Sequence, residues 1–91
     1  MNSNKINLNA ISKVAFEINY GKKQSYSLSQ LIDINNICSS NIKYNIEEYI
    51  DNLYDKNIIK DMLINILSIC YIQNFDLNDI FKMEVKRYEE V

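Results

Sequence analysis

The sequence contains no histidine, no proline and no tryptophan, and it has one glycine and two cysteines. Without histidine there is no imidazole for acid–base catalysis and no imidazole ligand for a metal ion. One glycine is too few for a glycine-rich phosphate-binding loop. The most apolar run, residues 62–72, is interrupted by Asn65 and Ser68 and is far shorter than the roughly 20 residues that span a bilayer. These absences predict a protein with no membrane span, no metal or cofactor site and no catalytic residues.

Charge and cysteine usage predict a cytoplasmic location in a bacterial cell. Ten basic and twelve acidic residues give a net charge of −2, and residues 1–10 lack the apolar core of a signal peptide. Cys38 and Cys70 lie far apart, without the patterned spacings of small secreted proteins, so we expect both to be reduced thiols in the core. Asn, Ile, Lys and Tyr fill about half of the chain, which is typical of an AT-rich genome and favours a low-GC bacterium or its phage.

Apolar residues recur every three or four positions along nearly the whole chain, which is the spacing of amphipathic helices. The sequence therefore predicts one all-α domain over residues 1–91. We expect a compact bundle of four to five helices, at about 7–20, 28–37, 41–54, 57–73 and 77–90. A strand over Val14–Tyr20 is an alternative, because apolar residues also alternate there.

Capping signals set the ends of the predicted helices. Gly21 stands where a helix-ending glycine belongs, and Ser27 and Gln30 have the spacing of a capping box. Ser39-Ser40 is the candidate N-cap of the third helix, and Asp76 is that of the last. The third and fourth helices are joined by a short turn and should pack antiparallel. The last helix should present to the core Leu77, Ile80, Phe81, Val85 and Tyr88.

The third predicted helix has an apolar side and an acidic side. The stripe that we expect to face the core is formed by Ile42, Ile46, Tyr49, Ile50 and Leu53. The opposite side, which we expect to face solvent, holds Tyr44, Glu47, Glu48, Asp51 and Asp55. Carboxylates from neighbouring helices can hold Mg²⁺ in a helical bundle, but they must point inward to do so. The predicted orientation therefore indicates no metal site.

Tyrosine is enriched at surfaces that a partner covers. Tyr44 falls among the acids of the third helix, and Tyr71 lies with Ile64 and Ile72 on the side of the fourth helix away from its main apolar stripe. Burial of that strip beneath the N-terminal segment is one alternative, and a homodimer interface is another. The candidate partner-binding residues are Tyr44, Glu47, Glu48, Asp51, Ile64, Tyr71 and Ile72.

Residues 61–88 read DMLINILSICYIQNFDLNDIFKMEVKRY, two helices joined by a turn that ends at Asp76-Leu77. This run resembles the last two helices of the MazG-like all-α nucleoside triphosphate pyrophosphatases, with Asp61 in the place of the aspartate of their E-x-x-D motif. The resemblance implies Mg²⁺-dependent release of pyrophosphate. Two departures predict that this activity is lost. Ile58 replaces the motif's glutamate, and the E-E-x-x-acid spacing at Glu47–Asp51 lies closer to Asp61 than in the family.

Residues 28–46 can also be aligned with a bacterial helix-turn-helix, with the turn at Asn36. From Ser39 to Asp55, however, one lysine stands against four carboxylates, a net charge of −3. A helix that enters a DNA groove needs cations for the phosphates, so the charge argues against nucleic acid as the partner.

The sequence thus predicts a non-catalytic protein that acts by binding a protein partner, as a phage or mobile-element inhibitor or adaptor of a host system. The alternatives are a helix-turn-helix DNA-binding regulator and a MazG-like Mg²⁺-dependent nucleotide pyrophosphohydrolase.

Overall fold

The computed structural model describes residues 7–90, which form four α-helices and one short 3-10 helix. Their bounds are α1 Leu8–Tyr20, the 3-10 helix Lys23–Ser25, α2 Leu28–Asp51, α3 Lys56–Ile72 and α4 Leu77–Glu89. The predicted all-α class is confirmed. The alternative strand over residues 14–20 is wrong, because this segment lies within α1.

Three helix ends lie where the capping signals predicted them. The Ser27 hydroxyl accepts a hydrogen bond from the Gln30 N–H at 3.2 Å, and the Gln30 side chain accepts one from the Ser27 N–H at 2.8 Å. Asp76 accepts from the Asp79 N–H at 3.2 Å. Gly21 has φ 74° and ψ −150°, a conformation essentially confined to glycine. Gly21 therefore ends α1, as predicted.

The two helices predicted at 28–37 and 41–54 are one continuous helix of 24 residues, α2. The predicted break at Ser39-Ser40 is wrong. The Ser39 hydroxyl donates to the Asn35 carbonyl at 2.9 Å, so it bonds within the helix instead of capping a new one. Because α2 passes through Asn36 without a turn, the helix-turn-helix alignment of residues 28–46 is wrong as well.

α3 is the central helix, since both α1 and α2 pack against it. Hydrogen bonds join Asn45 to Asn65 at 3.3 Å and Asn35 to Gln73 at 3.1 Å. With increasing distance from the α2–α3 turn, the paired residues come earlier in α2 and later in α3, so the two helices are antiparallel, as predicted. Within residues 7–90 no single helix has the length and hydropathy of a bilayer span, and α3 and α4 have them only together, across a bend of 108°.

The core lies where α1 crosses the α2–α3 hairpin. Phe16 and Cys38 are fully buried. The Phe16 ring lies 5.3 Å from the Tyr20 ring, 5.5 Å from the Tyr71 ring and 6.2 Å from the Tyr26 ring, centroid to centroid. This aromatic cluster closes one end of the contact between α1 and the hairpin.

Small side chains allow α1 to approach α3 closely. Ser12, Ala15 and Ser68 are all buried. The Ser12 hydroxyl donates to the Leu67 carbonyl at 2.7 Å, and the Ser68 hydroxyl donates to the Ile64 carbonyl at 2.7 Å. Both buried hydroxyls therefore have partners, so their burial leaves no donor unsatisfied.

α4 is attached to the rest of the fold through its first turn. The Asn9 side chain donates to Asp76 at 3.0 Å and accepts from the Leu77 N–H at 2.9 Å. The Leu8 N–H donates to the Asn78 side chain at 3.2 Å, so the N-terminal ends of α1 and α4 cap each other. Beyond Leu77 the predicted core stripe is wrong, because the side chains of Ile80, Phe81, Val85 and Tyr88 are 46–82% exposed.

Candidate binding groove

One groove is formed jointly by α1, α2 and α3. α1 ends at Tyr20, while α2 and α3 continue to their connecting turn, so part of the hairpin is left uncovered. The groove encloses about 560 Å³ and is partly open to solvent. Its lining residues are Ile18, Asn19 and Tyr20 of α1, Asn41, Tyr44, Asn45 and Glu48 of α2, and Lys60, Asp61, Ile64 and Asn65 of α3.

The groove brings together three of the seven candidate partner-binding residues. Tyr44, Glu48 and Ile64 line it, although Tyr44 and Ile64 are twenty positions apart in sequence. Glu47 and Asp51 are exposed and lie outside it. The structure thus separates Glu48 from the two acids that the sequence grouped with it.

Tyr71 and Ile72 do not line the groove with Ile64. Both pack against the core cluster around Phe16. The Tyr71 carbonyl accepts a hydrogen bond from the Lys23 ammonium at 2.8 Å, and the same ammonium lies 4.9 Å from the Tyr71 ring centroid. The geometry matches the alternative in which Tyr71 lies beneath the N-terminal segment.

The predicted orientation of the second half of α2 is confirmed only in part: Ile42 and Tyr49 of the expected core stripe are half-buried, and Glu47 and Asp51 are exposed as expected. Ile46, Ile50 and Leu53 were expected in the core and are exposed, whereas Glu48 was expected in solvent and is half-buried in the groove opposite Asp61. The reason is that α2 meets α3 along a different row of residues. The buried side chains of that row are Ile34, Cys38 and Asn45. Because Asn45 is polar, the row does not stand out as an apolar stripe in the sequence.

Three asparagines form a row of amides along the groove. The Asn65 side chain donates to the Asn45 side chain at 3.3 Å and to the Asp61 carbonyl at 2.9 Å, and Asn41 donates to Asn65 at 3.4 Å. A carboxamide offers both donors and an acceptor, as the peptide backbone does. Asn41, Asn45 and Glu48 are spaced by four and three residues on one side of α2, which is the signal by which the sequence could have indicated this row.

The charges of the groove favour a cationic ligand. Glu48 and Asp61 stand against Lys60, which leaves a net charge of −1. The Lys60 ammonium lies 3.9 Å from the Asp61 carboxylate, and both are well exposed, so this ion pair is weak and screened by solvent. Within residues 7–90 no group of three or more His, Cys, Asp or Glu side chains is placed to hold a metal ion.

Tyr20 lines the groove, and its hydroxyl contacts the buried Cys38 thiol. Its burial, together with its contact with the Cys38 thiol, raises the pKa of Tyr20 to about 12. The Tyr20 oxygen lies 3.8 Å from the Cys38 sulfur. Burial also raises the pKa of the Cys38 thiol and of the Cys70 thiol. Both cysteines are free, Cys38 being fully buried and Cys70 half-buried, and burial favours the protonated thiol at each.

Comparison of the chain with protein-family models, with curated proteins and with solved structures finds no match.

Proposed function

We propose that this protein is a non-catalytic binding module that holds a segment of a protein partner in the groove. The observation that carries the proposal is that Tyr44, Glu48 and Ile64 line the same groove as the asparagine row. Its volume of about 560 Å³ falls within the roughly 300–1,000 Å³ of pockets that hold small ligands. That space suits a short peptide segment.

The side chains of the groove suit an extended peptide. Asn41 can pair with the N–H and C=O groups of a peptide backbone, because its amide both donates and accepts. Both Asn65 N–H groups are already engaged within the protein, but its oxygen can accept a second hydrogen bond. Tyr44 is 60% exposed and offers a ring that a partner can cover, the kind of anchor that contributes most at protein interfaces. Ile18 and Ile64 provide apolar contact on either side.

Electrostatics specify the partner segment further. Glu48 and Asp61 give the groove an excess of one negative charge over Lys60. A lysine or arginine on the partner would be attracted to this site, and an acidic segment would be repelled. The partner segment is therefore expected to be extended and basic.

The test compares two adjacent glutamates. Glu48 lines the groove, whereas Glu47 is exposed outside it. A partner is captured from bacterial cytosol with the wild-type protein, purified, and titrated against Glu48→Lys, Tyr44→Ala and the matched control Glu47→Lys. We expect Glu48→Lys and Tyr44→Ala each to weaken binding by at least about 10-fold, or 1.4 kcal/mol, and Glu47→Lys to bind as the wild type does.

Thermal melting serves as the control for folding. Tyr44 is exposed and Glu48 only half-buried, so each change should leave the melting temperature nearly unchanged. Equal affinities for the Glu48→Lys and Glu47→Lys proteins would contradict the proposal, because a partner that ignores the groove cannot distinguish them.

A second function is favoured by one feature of the same groove. Glu48 and Asp61, carried by neighbouring antiparallel helices, both line it. Mg²⁺ bound with a nucleotide is often held by one or two carboxylates together with the substrate's phosphates. This arrangement supports a Mg²⁺-dependent nucleotide pyrophosphohydrolase, the activity implied by the MazG-like resemblance.

Pyrophosphate release decides between the two functions. The enzyme hypothesis predicts Mg²⁺-dependent release of pyrophosphate from at least one member of a panel of standard and damaged nucleoside triphosphates, and loss of that release in Asp61→Ala. No release by the wild-type protein across the panel would dismiss the enzyme and leave the binding module.

A further inference from the structure

The α2–α3 hairpin has a second face, opposite α1, that no element of residues 7–90 covers. The side chains that define this hairpin face are exposed by 39–66%, and they are Ile46, Ile50 and Leu53 of α2 with Ile59, Leu63 and Ile66 of α3. Helical spacing shows which side of α2 this face occupies. Ile46 lies nine positions after Ile37, which is two and a half helical turns, so the two side chains point to opposite sides of α2.

The hairpin face carries no charge along its length. On α2 Lys43, one turn before Ile46, bounds the face at one end and Glu47 lies at its side, and on α3 the residues between Ile59 and Ile66 that share its side, Met62 and Leu63, are apolar. Half-buried side chains, among them Ile42 and Met62, fill the space between the two helices. The face is thus continuous and apolar, as one layer of a helical core is.

The exposed area of this face matches what one partner contributes to a stable interface. With about 200 Å² of accessible surface on a fully exposed isoleucine or leucine, the six exposed residues and the half-buried ones between them expose on the order of 700 Å². A standard interface buries about 800 Å² on each partner. A continuous apolar patch of this size exceeds the roughly 300–600 Å² of the largest patch on a typical monomer.

We infer that the hairpin face packs against the same face of a second copy of this chain, so that two α2–α3 hairpins form a symmetric four-helix dimer. Interfaces of permanent homodimers resemble a core cut in half, whereas interfaces of temporary partners are no more apolar than the rest of the surface. The absence of charge therefore favours a partner that is always available. A second copy meets that condition, and a two-fold axis lets one patch serve both subunits.

The inference does not depend on the proposed function, because the hairpin face and the groove share no residue. The groove opens on the side of the hairpin that carries α1. The dimer therefore keeps both grooves free and presents two copies of the same binding site.

Mass measurement of the full chain tests the inference. Light scattering after size exclusion, from about 1 to 100 µM protein, should give twice the chain mass of 10.8 kDa. Ile46→Glu should give the mass of one chain with an unchanged helical circular dichroism spectrum. The dimer dissociation constant of Ile46→Glu should be at least about 100-fold above that of the wild type, because each copy would bury one unpaired carboxylate in the interface.

The matched control is Ile37→Glu. Ile37 lies on the same helix and is 50% exposed, against 47% for Ile46, but it faces away from the hairpin face. Ile37→Glu and Glu48→Lys should both remain dimers. If Ile46→Glu fails to fold, the wild-type melting temperature still provides a test, because it rises with protein concentration for a dimer and not for a monomer.

Three outcomes would overturn the inference. These are a wild-type mass of one chain throughout the concentration range, a melting temperature independent of concentration, and equal dissociation by Ile37→Glu and Ile46→Glu. The first two results would also follow if a different protein or a lipid surface covered the face.

Discussion

Replacing Phe16 with alanine removes the side chain at the centre of the core. Phe16 is fully buried, and its ring lies within 6.2 Å of the rings of Tyr20, Tyr26 and Tyr71. Truncation of a buried phenylalanine costs about 3–5 kcal/mol through lost apolar burial and the cavity left behind. Three aromatic neighbours place the expected loss near 4 kcal/mol, because each ring pair adds about 0.5–1.5 kcal/mol beyond burial. A chain of this length has a stability of about 5–14 kcal/mol, so the variant is expected to be marginally folded.

Urea unfolding followed by circular dichroism measures this loss. All proteins are compared at one concentration, since association would add to the stability. The control is Phe81→Ala, the same chemical change at a ring that is 53% exposed on α4, with an expected loss below about 1 kcal/mol. The corresponding fall in melting temperature for Phe16→Ala is roughly 15–30 °C. Equal losses in the two variants would show that the aromatic cluster is not the centre of the core.

Three further predictions follow from local geometry. Tyr54 has φ 73° and is 91% exposed, so Tyr54→Gly should raise the free energy of unfolding by about 0.5–1 kcal/mol, whereas Tyr54→Ala should not. A thiol reagent should modify the half-buried Cys70 in the native protein and the fully buried Cys38 only on unfolding, as peptide mapping can show. The hydrogen bond from Asn9 lowers the pKa of Asp76 below 3.8, so the stabilisation from this carboxylate is complete above the unfolded-state pKa and is lost as the pH falls through the folded-state value. Melting temperatures between pH 6 and 2 should therefore fall less for Asp76→Asn than for the wild type, and parallel curves would contradict this assignment.

The helical class and the ends marked by capping residues could be predicted from the sequence because they depend on local interactions. The capping box of Ser27 and Gln30 satisfies its own hydrogen bonds within one turn, and Gly21 supplies a backbone conformation that other residues avoid. The helix break predicted at Ser39 also depended on local interactions, but it was wrong, because a serine hydroxyl can either cap a helix or bond within one. The choice depends on whether the flanking residues are packed as one helix.

The orientation of α2 could not be predicted because the helix carries two sets of residues with helical spacing. One set includes Ile46 and Ile50 and is more apolar, but the set that meets α3 contains Asn45. Asn45 is tolerated in that contact because Asn65 donates to it from the facing helix. This pairing joins residues twenty positions apart, so it is visible only once the hairpin is formed, and the groove is missed with it.

The mutual caps of α1 and α4 have a consequence for the order of folding. They join residues 67 to 70 positions apart, so nearly the whole chain must be arranged before they can form, and the entropic cost of closing that loop falls on this joint. α1 is also held by α3, but α4 depends on these few bonds and on Leu77. Loss of the Asn9 side chain, near the start of the chain, should therefore detach the last helix, α4, from the rest of the fold.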